Sequence, residues 1–434
     1  MSLDQNRLNV AGVGLACLYV VLAPIMLQSS FDPLLPGRFG HLQLADLLAP
    51  VMVLWLWLNF RQGGTRLQSH ADSKQLLLLL VFGAMYIASG PLSGILADNH
   101  LPLADTLKRF YLVVTLLFFV QVCRIENAPF ILLWVSIYTL LLFAGLSLVF
   151  YLVYLATGES NFFVHISTSI VFDRAAGQLI GPMRPTEKLF ATYLILLSGA
   201  LFIGGNHLKR PVWLALLALV LVCGILTESR PGALTALFVV LALAATSRRH
   251  KIWLTLLALP SLAALAVIEF SAAGNIFVVF QQLRAGEWFP WIPSEGYYLK
   301  TVAWKLWMSR PLLGVGPENF VEGWLQAGQD GLGPIISAGS LAETPNSTYL
   351  YLLAETGLLG LAGWLGLVVL PLTRLWGSRQ EIPGKGWVIV LWAGCLAIAM
   401  VDLTITNFRF LYYMIPLIAA IPPKSLGILP QPDL

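Results

Sequence analysis

Apolar stretches close to bilayer length follow one another along almost the whole of this chain. A membrane-crossing helix needs ~20 predominantly apolar residues. Twelve segments meet or approach that length: 8–29, 43–60, 75–96, 105–122, 129–155, 187–205, 211–226, 231–247, 252–270, 347–373, 386–402 and 408–421, the last being short. The seventh and eighth are separated only by Thr227-Glu228-Ser229-Arg230-Pro231, a tight turn with Pro opening the next helix. Charged residues make up 11% of the 434 positions and apolar residues 58%, with a mean hydropathy of +0.78. A water-facing surface needs more charge than this to stay wetted. A cytosolic globular enzyme, a disordered chain and a nucleic-acid binder are therefore excluded. The first apolar run is too long for a cleaved signal peptide and reads as a retained helix. The expected fold class is an all-α polytopic membrane protein of about twelve transmembrane helices.

Orientation follows from Lys and Arg, which concentrate on the cytoplasmic side of a membrane protein. With the N-terminus inside, the inner segments carry 14 basic residues against five acids, and the remainder carries 12 basic against 17 acidic. Both termini are therefore expected in the cytoplasm. Residues 1–270 would hold the first nine spans and an outer loop at 156–186. Residues 271–346 would form one large outer loop, and 347–434 the last three spans with a short cytoplasmic tail.

The large outer loop is rich in aromatics, among them Trp288, Trp291, Tyr297, Tyr298, Trp304, Trp307, Phe320 and Trp324. Leu299, Val302, Ala303, Leu306 and Trp307 recur at helical spacing, which predicts an amphipathic helix over 296–309 lying on the membrane. The aromatics suit either an interfacial belt or a platform for the apolar faces of sugar rings.

Several basic residues fall near span ends on the outer side: Lys108, Arg109, Arg184, Lys188, Arg230 and Arg409. Such charge runs against the orientation bias and is costly at membrane depth, so it either pairs with an acid or meets a ligand. Guanidinium groups form bidentate bonds to phosphate oxygens, so an anionic lipid headgroup such as a pyrophosphate fits. The competing reading pairs these arginines with Glu187, Glu228 or Asp402. Glu343 lies just before Asn346-Ser347-Thr348-Tyr349-Leu350 at the start of the tenth span. A carboxylate in a partly dry pocket can serve as a base, and Ser347 and Thr348 suit a helix N-cap. Pro311-Leu312-Leu313-Gly314-Val315-Gly316-Pro317 reads as a turn and lacks the strand and third glycine of a dinucleotide site. The four cysteines are far apart in apolar runs, and no metal-ligand spacing is present.

With these residues in view, the chain resembles the O-antigen ligase and O-antigen or exopolysaccharide polymerase superfamily of bacterial inner-membrane proteins. The likeness spans about 180–365 in four pieces. They are Arg184 with Lys188-Leu189-Phe190-Ala191-Thr192-Tyr193-Leu194; Thr227-Glu228-Ser229-Arg230-Pro231-Gly232-Ala233-Leu234; Trp304 with Pro311 through Pro317 and Phe320; and Asn346 through Leu350 with Glu355-Thr356-Gly357-Leu358-Leu359-Gly360. Two departures stand out. Asn346-Ser347 replaces the usual His-Asn, and Glu187-Lys188 replaces Pro-Asn.

The resemblance implies a GT-C-like membrane glycosyltransferase, with short amphipathic helices in its large periplasmic loop and neither metal nor cofactor. It would invert the sugar it transfers. Its donor would be a glycan on a polyprenyl pyrophosphate, and its acceptor another glycan or a lipid. Membrane lipids and a polysaccharide chain-length regulator would be its other partners, with no nucleic acid. Arg184, Lys188 and Arg230 would hold the pyrophosphate. Asn346 cannot take up a proton, so Glu343 is the candidate base, with Glu187 and His165 as alternatives, and Asn346 would orient the acceptor. Two other classes stay open: a transporter or flippase of lipid-linked glycan, and a non-catalytic assembly subunit.

Overall fold

A computed structural model describes residues 5–24, 44–61, 70–96, 103–158, 164–168, 175–179, 193–194, 197–201, 208–227, 295–317, 319–320, 347–377 and 396. Helix dominates. In chain order the helices are α1 (Gln5–Leu22), α2 (Ala49–Arg61), entered through a 3-10 turn at Leu44–Leu48, α3 (His70–Leu96), α4 (Leu103–Val122), α5 (Ala128–Thr157), α6 (Arg210–Leu226), α7 (Glu295–Ser309) and α8 (Thr348–Gly377). Seven of the twelve expected spans coincide with these helices. The segments 231–247, 252–270 and 408–421 lie outside the described residues, as do most of 187–205 and 386–402.

Among the described residues, four helical stretches are long and apolar enough to cross a membrane: Leu44–Arg61, Leu76–Leu96, Ala128–Thr157 and Thr348–Leu370. Which side chains are buried points to the same solvent. Along α5, Tyr138, Leu142, Val149, Leu152 and Leu155 are exposed, whereas Ser136, Thr139 and Ser147 are buried. Water would select the reverse arrangement. The buried hydroxyls of Ser136 and Ser147 donate to the carbonyls of Leu132 and Phe143, each at 2.7 Å, so they need no water. Polar groups inward and aliphatic groups outward is the pattern expected where hydrocarbon surrounds the bundle.

One element departs from the all-α expectation. Val164–Thr168 and Ala175–Leu179 form an antiparallel pair, β1 and β2, in which His165 stands opposite Gln178. These five-residue segments fall in the expected outer loop at 156–186, and β1 carries the β-branched Val164, Ile166 and Thr168, which favour a strand.

Packing at one part of the core depends on aromatic contacts. Phe118 of α4 meets Trp55 of α2 edge-on at 5.2 Å, and Phe119 meets Tyr19 of α1 at 5.3 Å. The Trp55 indole donates to the Leu8 carbonyl at 2.9 Å, so its one polar atom is satisfied inside the bundle. On the other side of the core, α3 and α8 approach through glycine. A Cβ at Gly363 would stand 2.6 Å from the Tyr86 amide nitrogen, and Gly366 abuts the Phe82 ring. Small residues at such a contact let two backbones come close where hydrocarbon tails compete for every larger side chain.

Gly363→Val should therefore weaken the α3–α8 contact and lower the thermal midpoint of the purified protein in detergent. The expected cost is about 1–3 kcal/mol, the range for overpacking a fitted core. Gly145→Ala, at a position with nothing within 4 Å, should leave the midpoint unchanged or raise it slightly.

Candidate functional site

Helix α8 is two helical segments joined at Gly357, whose φ of 62° and ψ of −161° break the helix. A break at this point would strand four backbone groups: the amides of Leu358 and Leu359, and the carbonyls of Ala354 and Glu355 that would have accepted them. All four find partners on the turn 311–316. Leu358 N donates to Pro311 O at 2.9 Å and Leu359 N to Leu312 O at 3.2 Å. In return Val315 N donates to Ala354 O at 2.8 Å and Gly316 N to Glu355 O at 3.0 Å. Ser93 of α3 adds a second donor to the Glu355 carbonyl at 2.7 Å. The turn and the broken helix thus exchange their hydrogen bonds as a reciprocal clasp.

This exchange explains why glycine occupies both sides of the clasp. Gly314, at φ 69°, lies against the backbone of Ala354 and Glu355, and Gly357 lies against the backbone of Leu312 and Leu313. A Cβ at either position would overlap those main-chain atoms, and positive φ is itself unfavourable for other residues. The third and fourth pieces of the sequence pattern are therefore two halves of one structural device.

Helix α7 fixes the approach to the clasp. Leu299, Val302 and Ala303 pack with Phe320 and with Ala354 of α8. The expected amphipathic helix over 296–309 is present as α7, and its apolar face meets α8. In the last turn of α7, the Trp307 indole donates to Pro311 O at 3.1 Å. Arg310 Nη1 donates to the carbonyl of Leu96, the last residue of α3, at 3.1 Å.

Behind the clasp lies a buried polar cluster. Arg109 of α4 is almost fully buried. Its Nε pairs with Asp105 one turn earlier, and its Nη1 donates to Ser89 Oγ at 3.0 Å and Tyr86 O at 3.4 Å. The guanidinium also stands 4.8 Å from the centre of the Tyr86 ring. On α8 the Tyr351 hydroxyl bonds the Glu355 carboxylate, joining α8 to the same polar region. Arg109 was one of the cations expected to meet either a ligand or an acid, and the acid holds it. Its partner is Asp105, whose i,i+4 spacing was available in the sequence.

The candidate site residues Arg184, Lys188, Arg230, Glu343 and Asn346 lie outside the described residues, as does Glu187. Their described neighbours are well anchored. The Thr227 hydroxyl donates to Gly224 O at 2.7 Å where α6 ends, three residues before Arg230. Ser347 caps α8: its hydroxyl accepts the Leu350 amide at 3.5 Å, so Asn346 directly precedes the cap in sequence. The Tyr193 hydroxyl donates to the Ala23 carbonyl at 3.3 Å beyond α1.

A bundle with aliphatic residues outward, polar residues inward and helices long and apolar enough to cross a membrane defines an integral membrane protein. Residues 214–365 match the family model described as O-antigen ligase. That stretch contains three of the four pattern pieces, including both halves of the clasp. No curated protein matches the chain.

Two predictions follow from this geometry. Gly357→Ala should cost at least about 2 kcal/mol, read as a lowered thermal midpoint in detergent, because the new methyl group adds main-chain overlap to an unfavourable φ. Arg109→Met should cost about 3–5 kcal/mol, because it leaves the Asp105 charge without its partner. The double variant Arg109→Met with Asp105→Leu should recover much of that loss. Additive losses in the two single variants would contradict the paired reading.

Proposed function

We propose that the protein is a glycosyltransferase of surface-polysaccharide assembly, acting on glycan carried by a polyprenyl pyrophosphate at the periplasmic face of a bacterial inner membrane. The supporting observation is the clasp, which joins two pieces of the pattern within the matched segment 214–365. Alternation of the expected spans with both termini inside puts Leu96, Leu103 and Thr348 on the outer side. The hydrogen bonds Arg310–Leu96, Arg109–Ser89 and Ser93–Glu355 gather those same helix ends. The agreement supports an outward-facing site.

In the proposed reaction the acceptor hydroxyl oxygen attacks the anomeric carbon of the donor sugar from the side opposite the pyrophosphate, inverting that carbon. The carbon–oxygen bond to the pyrophosphate breaks, and its electron pair leaves on the phosphate oxygens. Arg184, Lys188 and Arg230 face the growing negative charge, where fixed cations lower the barrier most. Glu343 takes the acceptor proton, and Asn346 holds the hydroxyl by a hydrogen bond. Asn346, standing where the family usually carries His, favours the polymerase form, in which a second glycan is the acceptor, over the ligase form. No step calls for a metal.

Arg230→Ala should reduce transfer by about a hundredfold or more, the typical cost of removing one group that stabilises a developing anion. Long-chain product on a gel would disappear while the full-length protein remained in the membrane fraction. Normal product length in that variant would count against the proposal. Purified protein that lengthened a lipid-linked oligosaccharide without any ion gradient would set it apart from a transporter.

A further inference from the structure

Tyr349 and Trp364 stand on opposite sides of the break in α8, yet their rings meet edge-on at 5.8 Å. In a continuous helix the residues between them would set their backbones about 22 Å apart along the axis, beyond the combined reach of the two side chains. The two arms of α8, 348–356 and 358–377, therefore fold toward each other at Gly357 instead of running on.

The second arm descends along α3. Gly360, Gly363 and Gly366 lie in turn against Ser89, Tyr86 and Phe82, so a step inward on one helix matches a step inward on the other. This arm is about 30 Å long, enough to cross the hydrocarbon without help from the first. Trp364 is thus level with Tyr86, the middle residue of the apolar stretch Leu76–Leu96. Its ring contact brings the Tyr349 ring to that level. The Tyr349 hydroxyl also donates to the Leu396 carbonyl at 2.9 Å, about 9 Å inward from the outer limit of the expected span 386–402. Tyr351 lies close to both Arg109 and Asp105, and Arg109 is itself bonded to Ser89 and Tyr86. Three sets of contacts agree in drawing the start of the first arm inward from the clasp.

The first arm is also enclosed by protein. No residue from Ser347 to Gly357 is exposed. Leu350 and Ala354 pack with Leu299, Val302 and Ala303 of α7. Ser347, Tyr351 and Glu355, at four-residue intervals, share another face, where the Tyr351 hydroxyl bonds the Glu355 carboxylate. A membrane-crossing helix such as α5 keeps an aliphatic face for lipid; this arm has none.

We propose that 348–356 is a re-entrant half-helix, which sinks the Asn346–Ser347 end of the candidate site into the interior of the bundle, and that Tyr349 and Tyr351 are the positioning residues that hold it there. The chain still enters from the outer face, but only 358–377 crosses the membrane. The half-helix itself stands on the contacts above. The part its tyrosines play in transfer rests on the proposed function, in which Asn346 holds the acceptor hydroxyl. A small displacement of that group costs rate, because the reacting atoms must meet in a fixed geometry.

The test uses the full chain in membranes, with Cys17, Cys123, Cys223 and Cys395 replaced by alanine. Cysteines are placed in pairs across the break. One preparation carries Tyr349→Cys with Trp364→Cys, and the other Tyr349→Cys with Leu361→Cys, which leaves the buried indole in place. A short bifunctional methanethiosulfonate should join both pairs, read as linked peptides by mass spectrometry, whereas a continuous helix would hold them about 22 Å and about 18 Å apart. Ser347→Cys should react with a water-soluble thiol reagent about tenfold more slowly than Thr157→Cys at the exposed end of α5, since a buried thiol must wait for local opening. Unjoined pairs in monodisperse protein would overturn the half-helix, as would equal rates at 347 and 157. Tyr349→Phe and Tyr351→Phe should each lower kcat of transfer about tenfold, near the upper end of what one hydrogen bond contributes. KM for the lipid-linked donor should not change, because Arg184, Lys188 and Arg230 hold the donor in the proposed reaction. A lowered thermal midpoint with kcat unchanged would overturn the positioning role. Arg230→Ala judges the proposed function separately: joined pairs alongside normal product in that variant would leave the half-helix standing and remove the glycosyltransferase.

Discussion

A peptide group without a hydrogen bond costs several kcal/mol in hydrocarbon, where no water can replace the lost partner. That single cost governs how this protein can place irregular backbone next to its membrane helices. Breaking α8 at Gly357 releases two amides and two carbonyls, and the turn 311–316 supplies a partner for every one of them. Each bond adds only about 1 kcal/mol net in water, but several times that against being left unmade in an apolar setting. The broken helix and the turn are therefore each incomplete without the other. Their glycines follow from this requirement, because the exchange demands main-chain contact.

The same constraint orders the rest of the bundle. Serines on α5 turn their hydroxyls onto their own helix. The Trp55 indole finds a carbonyl on α1, and Arg109 is held by Asp105, Ser89 and Tyr86. A buried ion pair of this kind adds little net stability over apolar packing. What it supplies is a fixed geometry between α3 and α4 beside the clasp.

Much of the architecture was legible in the sequence because hydrocarbon imposes a length and a composition that hydropathy reads directly. The boundaries expected at 105–122, 129–155 and 211–226 differ by no more than two residues from α4, α5 and α6. The amphipathic stretch 296–309 showed its period and became α7. Ser347 showed its capping role by chemistry and position. The break in α8 was not legible, because Gly357 inside a long apolar run looks the same whether the helix bends there or continues. Only its pairing with Gly314, some forty positions away, makes it necessary, and hydropathy carries no information about such long-range backbone contacts. The short hairpin beyond α5 was hidden for a related reason: β2, Ala-Ala-Gly-Gln-Leu, has little strand character of its own. In the candidate site, the motif spacing pointed to the clasp region but gave its glycines no task.

The clasp has a topological effect that extends beyond the atoms it joins. By tying 311–316 to 354–359 it draws the intervening chain into a lasso, with exit and return pinned at a single knot. Glu343 and Asn346 fall within that interval of the sequence, before the second tied segment. Tethering both ends of a segment removes most of the volume its middle could otherwise explore. A sequence interval of some forty residues is thereby closed on itself by main-chain bonds alone.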